Sequence, residues 1–141
     1  GYREWRRDIQ ATNTTNSLFE VYRWKYFTVG AEGVLWRRGK WTSGIDVRWL
    51  RPISPTMSID IAGFDETTLK LKSRNSVRIN IPIQVVNGIG KQWTLTPYWE
   101  SWRLGRSADK RLTSNGVLTG SLAHEPRSET NIVGVTVSVR L

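Results

Sequence analysis

Cysteine is absent from the 141 residues, and histidine and methionine occur once each. Without a thiol there is no disulfide framework, no thiolate nucleophile and no cysteine metal site. A single imidazole excludes a multi-histidine metal centre. No run of about 18 apolar residues occurs in the sequence, so a membrane-spanning helix is excluded as well. Gly1 opens directly onto the charged stretch YREWRRD instead of a signal peptide, so the sequence is expected to be either a mature chain or an excised piece. The lack of cysteine says little about compartment, because many exported proteins also lack it.

What is present is aromatic and basic. Eight Trp accompany a hydrophobic content of 38%, and 21 Lys and Arg against 12 Asp and Glu leave a net charge of +9. The length is that of one ordinary domain, so residues 1–141 are read as a single domain. The charge suits an anionic partner such as nucleic acid, a phosphorylated glycolipid or an acidic bilayer face, and equally a solvated basic surface with no partner.

Helical periodicity is nearly absent, whereas period-two alternation returns in segment after segment between turn residues. The expected fold is therefore all-β, an antiparallel up-and-down barrel of about eight strands at roughly 2–10, 18–36, 41–51, 56–63, 67–73, 76–86, 92–106 and 127–141. Placing Arg37, Arg38 and Gly39 in a three-residue hairpin loop sets Leu35 opposite Trp41, Val29 opposite Val47 and Phe27 opposite Trp49. The same parity passes through turns at RPISPT, FDE, SRN and NGIGK, so odd positions stay on one face. That face collects Met57, Ile59, Leu69, Val77, Ile79, Ile81, Ile83, Val85, Trp93, Leu95 and Trp99. Pro82 and Pro97 each remove a ladder donor inside an apparent strand. SADKRLTSNGVLTGSLAHEPR reads as one long loop.

The alternation fits two opposite proteins: a soluble barrel with the apolar row inside, or a transmembrane barrel with that row facing lipid. The even row favours the second. It mixes small residues, Gly30, Gly44, Ser58, Thr94 and Thr96, with opposite charges, Glu32, Asp46, Asp60 and Glu100 against Arg48, Lys70 and Arg78. Small residues leave room inside a narrow barrel for charged side chains to pair, which buried charges require. These seven charged residues are the expected interior polar network. Trp24, Trp36, Trp41, Trp49, Trp93 and Trp99 fall close to strand ends, as aromatics at membrane interfaces do. Short even-numbered turns, RRG, FDE and NGIGK, would be the periplasmic ones, with Arg106, Lys110 and Arg111 in an outer loop.

The final stretch NIVGVTVSVRL resembles the C-terminal strand of bacterial outer-membrane β-barrels, where alternating apolar residues ending on an apolar terminus are recognised by the barrel-assembly machinery. The matching positions are Val133, Val135, Val137, Val139 and Leu141. The family favours an aromatic terminus, and Leu stands here instead. TPYWESWRLGRS and EPRSETNIVGVTVSVRL also resemble the last hairpin of proteobacterial outer-membrane barrels. The resemblance covers about a third of the chain. It implies a bacterial outer-membrane location, contact with the lipid bilayer and lipopolysaccharide, and a small porin-like barrel or the C-terminal part of a larger one. In a wider barrel the Lys and Arg of the even row would line an anion-preferring pore.

No motif carries chemistry convincingly. Ser121, His124 and Glu125 are close in sequence, as in lipid deacylases and acyltransferases of small barrels, but they fall in the expected long loop and lack those families' motifs. GIGK at 88–91 superficially suggests a phosphate loop, yet no Ser or Thr follows Lys91, so a hairpin turn is the better reading. YREWRR and VYRWKY fit nucleic-acid contacts, but an aromatic girdle beside anionic head groups accounts for them better. The acidic residues lack metal-loop spacing. The leading expectation is a non-enzymatic scaffold or narrow conduit without cofactor, metal or nucleic acid. The alternative is a soluble β-barrel binding module, carrying an apolar ligand or binding nucleic acid. A membrane lipid hydrolase is the third.

Overall fold

The computed structural model describes residues 1–10, 17–87 and 90–140. The first expected loop at 11–16, Gly88 and Ile89 of the NGIGK turn, and Leu141 lie outside the described residues. The protein is all-β and, among the described residues, has no helix. Its strands are β1 (Tyr2–Ile9), β2 (Leu18–Arg38), β3 (Trp41–Ile61), β4 (Thr67–Lys70), β5 (Lys72–Ser73), β6 (Ser76–Asn80), β7 (Ile83–Val86), β8 (Gln92–Gly105), β9 (Lys110–Ser114), β10 (Val117–Ala123) and β11 (Ser128–Arg140). The larger sheet runs β1-β2-β3-β6-β8-β11, with β4 on β3, β5 on β8, and β7 on both β3 and β8. β9 and β10 form a separate two-stranded sheet.

Two expected reversals are absent. RPISPT lies inside β3, which is one strand of 21 residues. Proline removes only a donor, and its carbonyl still accepts. The Leu71 N–H reaches the Pro55 carbonyl at 2.9 Å, and Pro52 and Pro55 are buried. SRN likewise does not turn the chain. β4, β6 and β7 all run antiparallel to β3 in one register, as Thr56 with Lys70, Val47 with Ile79 and Trp41 with Val85. Residues 67–86 are therefore one interrupted strand. The first hairpin turns on Gly39 and Lys40 rather than on Arg37, Arg38 and Gly39, although Gly39 does take the left-handed conformation (φ 57°).

The expected long loop contains the β9–β10 hairpin, closed by Asn115 (φ 51°) and Gly116 (φ 76°), the backbone signs of a two-residue Asn-Gly turn. Asp65, in the turn between β3 and β4, holds that hairpin. Its carboxylate accepts the Asn115 and Gly116 N–H groups at 3.0 Å each, and its own N–H donates to the Thr113 carbonyl at 2.8 Å. Bonding to Thr113, then to Gly116 and Asn115, lowers the Asp65 pKa below the usual carboxylate value. An acid with a lowered folded-state pKa stabilises above its unfolded value and loses that contribution as pH falls through the lowered one. Asp65→Ala is expected to speed amide exchange at Asn115 and Gly116 and to abolish the acid-dependent part of that exchange.

The chain packs as two compact units. Unit 1 comprises residues 1–27, 51–74 and 103–128, and unit 2 comprises 28–50, 75–102 and 129–141. Unit 1 has an apolar core, in which Val21, Tyr22, Trp24, Met57, Ile59, Leu69, Leu71, Leu104 and Leu112 are all buried, while Phe19, Phe27, Ile53, Val117, Leu118 and Leu122 of the same unit are exposed. In unit 2 odd positions face odd across the β3–β6, β6–β8 and β7–β8 ladders, as parity requires: Val47 with Ile79, Trp49 with Val77, Ile79 with Trp99, Ile83 with Leu95, Val85 with Trp93. Pro82 divides β6 from β7, yet both keep the same register on either side. The Gly44 N–H bonds the Pro82 carbonyl at 2.9 Å and the Ile81 N–H bonds the Pro97 carbonyl at 3.0 Å, so neither proline slips the ladder.

Candidate functional site

Unit 2 carries two faces of opposite character, with many large apolar side chains exposed on one and polar side chains buried on the other. On the odd row Trp41, Val47, Trp49, Ile81, Trp93, Leu95 and Trp99 are exposed, as are Val133, Val135, Val137 and Val139 of β11, with Val133 at 79%. On the even row Asn80 is buried and Glu100 is only 2% exposed. Exposed apolar area costs about 25 cal/mol per Å² in water, and buried polar atoms must be paired wherever the sheet lies.

The buried polar atoms are paired. Arg48 Nε donates to Asp46 at 2.8 Å, Asn80 Nδ2 donates to the same carboxylate at 2.8 Å, and Arg78 Nε donates to Asn80 Oδ1 at 2.9 Å. Arg78 Nη1 then reaches Glu100 Oε2 at 3.3 Å, and the Trp102 indole N–H donates to the other Glu100 oxygen. Four of the seven expected network residues, Asp46, Arg48, Arg78 and Glu100, are thus joined in one run. Glu32 lines, with Asp46, a groove of about 380 Å³ floored by Gly30. Among the described residues Asp60 and Lys70, both of unit 1, are not part of the run. Asn80 and Trp102 complete it and were not expected. The Asn80 position was available from register, because it faces Asp46 directly across the β3–β6 ladder.

Glycines make the even face close-packed. A Cβ on Gly30 would lie 2.3 Å from the Val47 carbonyl, and one on Gly134 would lie 2.6 Å from the Tyr98 ring. Tyr98 occupies the space that Gly134 leaves, and the Arg78 guanidinium lies 4.7 Å over the other part of this cluster, the Tyr98 ring itself. Gly30, one of the expected small residues, lies against the Val47 carbonyl and the Arg48 side chain, whereas Gly134 was not among those expected.

Five of the six expected interface tryptophans, Trp36, Trp41, Trp49, Trp93 and Trp99, are exposed in unit 2. Trp24 is not: it is 4% exposed, in the core of unit 1 with Val21, Tyr22 and Met57. Leu141, the last residue of the expected assembly signal, lies outside the described residues.

Unit 1 contains a second polar cluster that the sequence did not announce. The buried Tyr22 hydroxyl lies 2.7 Å from Glu125 Oε1 and 3.1 Å from Glu20 Oε2, and Arg7 pairs with Glu20 at 2.6 Å. Trp5 stacks on the Tyr22 ring at 5.2 Å. The Glu125 N–H bonds Ser107 Oγ at 2.9 Å and the Ser107 N–H bonds the Glu125 carbonyl at 3.0 Å, closing the two feet of the β9–β10 hairpin. Burial pushes the Glu125 carboxyl above its usual range, with Glu20 adding to the rise, against the Tyr22 hydrogen bond, Arg7 and His124. Burial and the neighbouring Glu125 likewise push the Tyr22 phenol well up, so it stays a donor. A raised acid binds more protons folded than unfolded, so its contribution is fully present below the unfolded value and is lost as pH rises through the raised one. Glu125→Gln is expected to remove that loss and flatten the stability of unit 1 above the normal carboxylate range, as read by thermal melts across pH.

His124 Nδ1 lies 3.5 Å from Asp109, which also pairs with Arg106, and Ser121 sits in β10 with its N–H bonded to Thr119. Among the described residues no hydrogen bond joins Ser121, His124 and Glu125 to one another. No protein-family model matches this sequence, and no curated protein matches it.

Proposed function

We propose that unit 2 is the lipid-facing part of an outer-membrane β-barrel, a non-enzymatic scaffold or narrow conduit whose even row lies away from lipid. The observation that carries this reading is the inverted burial of unit 2, with apolar Trp41, Val47, Leu95 and Val133 outward and the Asp46–Asn80–Arg78–Glu100 run inward. Strand length supports it. The unit 2 stretches 28–38, 41–50, 76–86, 92–102 and 129–140 are each ten to twelve residues long, close to the nine to eleven or so that a tilted strand needs to cross a bilayer. Exposed Trp36, Trp41 and Trp93 lie at the strand ends nearest the Gly39–Lys40 turn and residues 87–91, where aromatics meet head groups. That end also receives the end of β11, so these short turns are the periplasmic ones in this reading. Val133, Val135, Val137 and Val139 would serve the assembly machinery, and the basic surface would meet phosphorylated lipid such as lipopolysaccharide.

A soluble binding module needs the same odd row turned away from water. The two are separated by preparing the chain in plain buffer and in detergent or lipid, with circular dichroism and heated against unheated gel mobility. A β-rich species formed only with amphiphile and shifted by heating is expected. A monodisperse folded protein in plain buffer would discard the membrane reading.

A further inference from the structure

Unit 2 has two uncovered strand edges. β1 pairs with β2 over Leu18–Lys25, so among the described residues Thr28–Arg38 of β2 is paired on one side only, by β3. β11 is paired on one side only, by β8. Along β11 every residue from Val135 to Arg140 is exposed, so its two faces are open as well as its edge.

In lipid such edges do not stand. Every backbone N–H and C=O in the hydrocarbon region has to be bonded internally, which is why strands cross membranes only as closed barrels. Five strands are also too few, because the smallest barrels have eight.

Direction decides what closes the gap. β2 and β3 are joined by the two-residue Gly39–Lys40 turn and so run antiparallel. β3 is antiparallel to β6 and β7, and these to β8. β8 and β11 meet at Tyr98 beside Gly134 and at Ser101 beside Glu129, so partner numbers rise on one strand as they fall on the other. After four antiparallel steps β11 runs in the same direction as β2. Copies inserted in one orientation would join β11 of one to β2 of the next in parallel, with slanted and weaker hydrogen bonds. A two-fold pair joining like edges would be antiparallel but would insert its halves upside down relative to each other.

We infer that the β2 and β11 edges of unit 2 are docking edges for an antiparallel β-meander of different sequence, with an odd number of strands and at least three, apolar outward and polar inward. This rests on the membrane reading and names the partner it requires. An odd number restores alternation all the way round, and three reaches the eight-strand minimum.

The absence of cysteine allows a clean test. The full chain is folded in detergent micelles as single variants Val34→Cys and Val137→Cys and as the double variant, and oxidised. In parallel, amide exchange along β11 is followed with and without a synthetic peptide copying residues 92–102, the strand direction that β11 already accepts. The expected result is a monomer without β2–β11 disulfides, whose alternate β11 amides exchange at least tenfold faster than those of β6 and become protected by the peptide but not by a scrambled one. Disulfide-linked chains in the double variant, with slow β11 exchange in the absence of peptide, would show that a second copy closes the edge and overturn the inference. Disulfides within one chain would show self-closure and overturn it too. Fast edge amides that the peptide leaves unprotected would also count against it. In all three cases a fold that needs detergent leaves the membrane reading standing, whereas a chain folded without detergent removes that reading first.

Discussion

Val47→Lys is expected to lower the stability of the protein folded into lipid vesicles by about 2–4 kcal/mol, the cost of a cation on the lipid face near the middle of the bilayer. Val47 lies within the unit 2 stretch 41–50, is 40% exposed and faces Ile79 across the ladder. It has no polar neighbour on the odd row with which a lysine could pair. Urea unfolding from vesicles, followed by tryptophan fluorescence, measures the loss. At a water-facing position the same exchange should fall within about 0.5 kcal/mol of the parent. The two environments thus differ by several-fold in a single number. Gln84→Lys supplies the control, since Gln84 faces Thr94 on the even row, where a charge has polar neighbours. A Val47→Lys protein as stable in vesicles as the parent would remove the lipid-facing assignment of the odd row.

Much of unit 2 was legible because its signal is local and repeated. Side-chain direction in a strand has a period of two, so a row such as Val77, Ile79, Ile81, Ile83 and Val85 can be read without knowing the partner strand. Each correct pairing then carries the parity to the next, and Asp46, Arg48, Arg78 and Glu100 emerge on one face together. The reversals were harder. RPISPT and SRN contain residues that favour turns, yet a proline carbonyl and an interrupted ladder can continue a strand, and only the partner strand decides between the two. Parity survived the error because five residues, 51–55, stand against five, 71–75, between the paired parts of β3 and its neighbour.

Unit 1 was the least legible part, for a different reason. Asn115-Gly116 is a strong two-residue hairpin signal, but the flanking KRLTS and VLTGSLA alternate weakly, so the hairpin was absorbed into a loop. Missing the hairpin hid its clasps. Asp65 meets Asn115 and Gly116 across 50 residues of sequence, and Tyr22 meets Glu125 across 103. No periodicity spans such distances. Trp24 was misassigned with them: an alternating aromatic strand looks alike whether its ring enters a protein core or a lipid interface, and the hairpin that marks unit 1 as inward-packed was not visible.

Glu100→Ala is expected to cost about 3 kcal/mol, as loss of one partner from a buried pair does when the other charge is left behind. The value is set near the lower end of that class because the Arg78 side chain keeps 36% of its exposure and water can partly solvate it. Glu100 is the acceptor for both Arg78 Nη1 and the Trp102 indole, so its removal takes one acceptor from each at once. A solvated pair on a soluble surface is worth only about 0–1 kcal/mol, so the size of the effect reports which side of the sheet excludes water. The double variant Glu100→Leu with Arg78→Met should recover much of the loss, since no charge is then left unpaired. Arg78→Met alone should leave Glu100 buried without the guanidinium beside it, and should cost about as much as Glu100→Ala. If all three variants unfold from vesicles at the parent's urea concentration, the even row is solvated and the polar run does not form the interior of unit 2.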